Sequence, residues 1–139
     1  MDRRQFLTFS AAASLFPLAA QAAYHATPYR TGLLMEMRET GNAFILNFNA
    51  SWSLTSQIKR DTIGALKANN PQYSSYITFI DIDWDTYGPS QMAQRLKIQR
   101  HSTLIALQGK GEIGRLEAEI DERRIKAFLD KTLEAARAS

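Results

Sequence analysis

Not one of the 139 residues is a cysteine. That absence excludes disulfides, thiolate metal sites and redox chemistry on sulfur. It says nothing about compartment, since an exported domain can do without bridges. Histidine occurs only twice, at His25 and His101. Two imidazoles without thiolates make a poor zinc site, so neither a metal nor a cofactor is expected. Basic residues are not concentrated either: 17 Lys+Arg stand against 14 Asp+Glu, a formal net charge of +3. They do not cluster beyond pairs, which argues against a nucleic-acid partner. Beyond the first residues no apolar stretch is long enough to cross a membrane, so no stable insertion is expected once they are removed.

What is present is ordinary for one globular domain, with 45% hydrophobic and 22% charged residues. The first residues carry an address. Asp2-Arg3-Arg4-Gln5-Phe6-Leu7 precedes an Ala-rich apolar run from Phe9 to Ala20, closed by Ala20-Gln21-Ala22. A positive start, a short apolar run and an A-x-A pattern read as a signal peptide. The paired arginines followed by x-Phe-Leu resemble the twin-arginine signal, an export address for folded proteins; an ordinary secretory signal is the alternative. Residues 1–22 are thus expected to be removed after about Ala22, leaving 23–139 as one domain in the periplasm.

Along that domain, Thr31 is the expected cap of a helix through Leu33, Leu34 and Met37, stopped at Thr40-Gly41-Asn42. The apolar run Ala43–Phe48 fits a strand buried on both faces. Ser53 is the expected N-cap of a helix containing Ile58 and Leu66, ended by Asn69-Asn70-Pro71. Tyr76–Asp83 reads as a second strand, and Met92, Leu96 and Ile98 as a short helix after Gly88-Pro89-Ser90. Thr103–Leu107 and Ile113–Leu116 form a hairpin around a glycine-containing link. Asp121 caps an amphipathic helix carrying Ile125, Phe128, Leu129 and Leu133. The order is α, β, α, β, α, β, β, α, with an optional first strand near Tyr24–Thr27. It predicts an α/β domain whose mixed sheet of four to five strands has helices on both faces.

Between Leu33 and Leu133 that order, and the residues inside it, resemble thioredoxin. Ile45-Leu46-Asn47-Phe48-Asn49-Ala50-Ser51-Trp52 matches the family's buried strand and its tryptophan. Ser53-Leu54-Thr55-Ser56 stands where the family has Cys-x-x-Cys. Arg100-His101-Ser102-Thr103-Leu104 matches the segment that usually ends Pro-Thr, and Ile125-Lys126-Ala127-Phe128-Leu129-Asp130 the closing helix. The resemblance implies the thioredoxin-like fold. Its activity would be thiol–disulfide exchange, and the departures bear on that.

Ser53 and Ser56 replace both thiols, and a hydroxyl is far too weakly acidic to attack a disulfide at neutral pH. Asn47 stands where the family keeps a buried aspartate. Ser102 occupies the cis-proline position; a non-proline cis bond costs roughly 3–4 kcal/mol, so a trans bond is expected after His101. Loss of thiols, acid and proline together points to a natural redox-inactive form, with a cysteine-free version of an oxidoreductase as the alternative.

Other constellations weigh less. Asp81-x-Asp83-x-Asp85 begins like a calcium loop but has Thr86 at the sixth position and Met92 at the twelfth. Its acids are expected to face water while Ile82 and Trp84 turn inward. Ser53 or Ser56 with His101 has the composition of a nucleophile–base pair, but no orienting group is identifiable. Capping serines and a surface histidine are the plainer reading. Arg123, Arg124, Lys126 and Lys131 read as a solvated helix face. Trp52 serves either packing or a shallow peptide groove. The expectation is therefore a binding or adaptor module for an exported protein or peptide. Its contacts would come from Trp52, Leu54, Thr55, His101 and Ser102, with an extra N–H on Ser102 that proline lacks. The alternative is an oxidoreductase whose two cysteines are replaced by serine in this chain.

Overall fold

The computed structural model describes residues 24–139; the signal sequence expected at 1–22 lies outside them. A lead-in from Tyr24 reaches the two-residue strand β1 (Thr27–Pro28), then α1 (Leu33–Thr40) and β2 (Ala43–Asn49). There follow α2 (Leu54–Asn69), α3 (Gln72–Tyr76), β3 (Thr78–Asp83), α4 (Trp84–Tyr87) and α5 (Gln91–Arg95). The chain closes with β4 (Thr103–Gln108), β5 (Gly111–Glu117) and α6 (Glu122–Ala138).

The five strands form one mixed sheet in the order β1-β3-β2-β4-β5. β3 runs parallel to both β1 and β2, while β4 is antiparallel to β2 and β5. The nearly continuous apolar sequence of β2, broken only by Asn47 and Asn49, has its cause here: the strand lies in the middle and both of its faces are covered. Ile45 joins Leu104, Ile63, Leu66, Phe128 and Leu129 in a layer under α2, α3 and α6. Phe44, Leu46 and Phe48 join Ile80, Ile105 and Leu33 in the layer on the opposite face. The α/β class, the mixed sheet and the two-sided cover are as the sequence predicts.

Several local expectations are corrected. Gly32, not Thr31, precedes α1, in a left-handed conformation (φ 93°) without a side-chain cap. Tyr76 belongs to α3, a single turn started at Pro71, so β3 begins at Thr78. The hairpin turn is only Gly109–Lys110, since β4 and β5 extend to meet it. A register shift between Ala106 and Leu107 leaves Ile113 as the extra residue of β5. Trp84 opens α4 and packs edge-on against Phe48, ring centroids 6.4 Å apart. Gly88 permits that pose: a Cβ there would meet the Trp84 carbonyl at 2.7 Å and its indole at 2.9 Å.

Candidate functional site: the N-terminal end of the second helix

Three loops meet where β2, β3 and β4 approach α2. Ser53 caps α2 as predicted, its Oγ accepting the Ser56 N–H at 3.2 Å. This satisfies one of the helix's free N–H groups and leaves its positive end at the surface. Ser56 Oγ turns back into the protein, accepting the Ala50 N–H at 3.2 Å and lying 2.7 Å from Ser102 Oγ. Ser102 Oγ in turn lies 3.1 Å from His101 Nδ1. His101 thus reaches Ser56 only through Ser102. The three serines are 6%, 3% and 0% exposed, so no hydroxyl is presented to a substrate. The histidine, expected at the surface, is half-buried.

The His101–Ser102 bond is trans, as are all peptide bonds among the described residues. Ser102 adopts φ 62°, a left-handed conformation that costs a non-glycine residue about 1 kcal/mol or more. Its surroundings hold it there. The Ser102 N–H donates to the Phe48 carbonyl at 2.7 Å, and its carbonyl accepts from Ala118 N–H at 2.9 Å. This corrects the expectation of a free donor: the extra N–H stitches β2 to the loop, and Ser102 has nothing left for a partner.

The surface itself is built by Trp52 and Leu54, 63% and 69% exposed, with Thr55 half-buried behind them. Trp52 is nevertheless fixed. Its Nε1–H donates to Asp85 Oδ1 at 3.2 Å, and its ring stands edge-on to His101, centroids 4.8 Å apart.

Beneath this surface lies a polar cluster absent from the sequence reading. Asp81 was expected to face water. Instead it points under α2, where Oδ1 accepts from Tyr24 OH at 2.5 Å and from Asn49 Nδ2 at 3.3 Å. Asn47 sits beside it in register and donates through Nδ2 to Tyr24 OH at 2.6 Å. Lys59, only 1% exposed, sends its ammonium into the same layer without a hydrogen-bond partner among the described residues. Burial pushes its pKa down to about 7, with Asp81 opposing. Lys67 is lowered to about 8 for the same reasons; its Nζ donates to the His25 carbonyl at 2.8 Å. Burial raises the Asp81 pKa, while the Tyr24 hydrogen bond and the charges of Arg60, Lys59 and Lys67 hold it back. Burial and the Asp81 charge push the Tyr24 hydroxyl well above the usual tyrosine range. His25 is exposed. Among the described residues no group of three His, Asp or Glu side chains is placed to hold a metal ion.

No protein-family model and no curated protein matches the chain. Solved structures do. A thioredoxin-like protein from Edwardsiella tarda superposes with a TM-score of 0.66 at 18% identity, over 76% of this chain and 98% of that one. This is the thioredoxin fold. Deadhead, a germline-specific thioredoxin from Drosophila melanogaster, gives 0.62 at 19% identity, over 77% and 98% of the two chains. The oxidised thioredoxin of Plasmodium falciparum gives 0.63 at 14% identity, over 77% and 97%. In this thioredoxin fold, Ser53 and Ser56 occupy the start of α2, and no cysteine exists anywhere in the chain. Among the described residues no helix is long and apolar enough to cross a membrane.

Proposed function

We propose that this thioredoxin-fold protein is an exported, non-catalytic binding module whose contact surface is the N-terminal end of α2. The observation that carries this reading is Trp52: a large aromatic left mostly in water, yet fixed by Asp85 and His101. A pre-positioned, exposed tryptophan costs little entropy to use as an anchor. Leu54 adds apolar area beside it, and the absence of cysteine leaves binding without exchange. Trp52→Ala is expected to weaken partner binding by about 2 kcal/mol or more, as truncated hot-spot tryptophans do. The measurement is a pull-down from periplasmic extract followed by titration of the recovered protein, with circular dichroism confirming the fold. An unchanged affinity in a folded variant would move the binding surface elsewhere.

Export belongs to the same proposal and rests on Arg3-Arg4-x-Phe6-Leu7 and Ala20-Gln21-Ala22. Changing both arginines to lysine is expected to leave the precursor in the cytoplasm. Normal export of that variant by the general secretory route would overturn the twin-arginine assignment while leaving the periplasmic location standing.

A further inference from the structure

We propose that the Trp52 surface recognises a basic side chain, an arginine or lysine that a partner peptide lays on the indole and pairs with the Asp85 carboxylate. The inference rests on the binding-module reading and gives its partner a chemistry.

Trp52 is held at two points, the Asp85 carboxylate on its Nε1–H and the His101 ring against its side, and is still 63% exposed. Indole is the strongest cation–π acceptor among the side chains. Asp85 is itself exposed, and one of its oxygens already meets the indole N–H. Among the described residues it forms no ion pair, since the salt bridges present lie elsewhere. Asp83, two residues earlier and also exposed, spends Oδ2 on the Thr86 N–H and hydroxyl, at 3.1 and 2.6 Å, and is likewise unpaired.

The chain as a whole carries +3, yet the β3–α4 junction beside its more exposed indole presents two carboxylates without a paired cation among the described residues. A guanidinium or ammonium would find there a π face, a carboxylate within reach of the same ring, and Leu54 for its aliphatic stem. An acidic partner would meet the like charge of Asp83 and Asp85, two full charges that outweigh the roughly half positive charge at the start of α2. A purely apolar one would leave both carboxylates beside a dry contact without compensation.

The test selects random phage-displayed peptides on the immobilised full protein, with counter-selection on Trp52→Ala. The retained peptides are then titrated against wild type and Asp85→Asn. Asparagine keeps an oxygen for the indole N–H and removes only the charge, and an unmoved Trp52 Nε1–H resonance checks that the ring has not shifted. Expected are Trp52-dependent peptides with Arg or Lys next to an apolar residue. Their affinity should fall roughly tenfold in Asp85→Asn, and further when the peptide's basic residue becomes Gln, which removes the cation–π contact as well as the ion pair. Trp52-dependent peptides that lack a basic residue, or that bind Asp85→Asn as well as wild type, overturn this inference and leave the binding module intact. If no peptide depends on Trp52, both readings fall.

Discussion

Lys59→Met is expected to stabilise the protein by about 1–3 kcal/mol at pH 7, the desolvation cost of a buried donor without a partner. Lys59 is 1% exposed and its ammonium has no hydrogen-bond partner among the described residues. Its opposing charge, Asp81, is already engaged by Tyr24 and Asn49. Burial lowers the lysine pKa from 10.5 to about 7, so the folded state binds its proton less readily than the unfolded chain does. The cost is therefore complete below pH 7 and shrinks as pH rises toward 10.5. Wild-type stability should climb with pH between about 7 and 9.5, below the range where unfolded tyrosines ionise. Methionine has similar length and no charge, so it should fill the same space and remove most of that slope. Lys67, lowered in the same direction, would supply what remains. Urea denaturation of both proteins across this range measures the effect. A variant less stable than wild type at pH 7, or one with an unchanged slope, would mean that Lys59 is compensated in a way the cluster does not reveal.

That cluster marks where sequence reasoning stops. The fold was legible because its signals are local and repeated: the apolar run of β2, the Ser53 and Asp121 caps, the proline after Asn70 and the Ile125–Leu133 stripe each name one element. The Ser53 cap placed the start of α2 and with it the candidate surface, since a helix start fixes where its N–H groups point. The sequence conceals Asp81 because alternation along β3 gives Ile80 and Ile82 one face, and the opposite face of an interior strand is not water but α2. A signal for Lys59 existed. Ser56, Lys59, Ile63, Leu66 and Lys67 share one buried stripe of α2 at helical spacing, which places two lysines inside. Tyr24 and Asp85 left no comparable trace. Each reaches its partner across 57 or 33 residues of chain, and only the assembled sheet brings those segments together. The Ser102 N–H belongs to the same class, because its acceptor on Phe48 is defined by the loop's path and not by residue type.

The serines at 53 and 56 carry the second large effect. The protein as it stands should show no reduction of insulin disulfides, since neither hydroxyl forms a nucleophile at neutral pH. Ser53→Cys with Ser56→Cys would restore two thiols at the start of α2, and the helix dipole would lower the pKa of the first. The second would still lack a base. Position 47 is an amide whose Nδ2 is committed to Tyr24, and the neighbouring Asp81 carboxylate is tied to Tyr24 and Asn49 among buried lysines. Cysteine at 56 would also replace the hydroxyl that joins Ala50 to Ser102, at a cost of about 1 kcal/mol of stability. Turnover should then lie at least about a hundredfold below that of a thioredoxin with thiols, acid and proline in place, the size of an ordinary general-base contribution. Adding Asn47→Asp and Ser102→Pro should recover part of the difference. Insulin turbidity with a dithiol reductant measures all of these variants. Full activity from the two cysteines alone would mean that only the thiols were missing, and the reading of this chain as an oxidoreductase with replaced cysteines would displace that of a binding module.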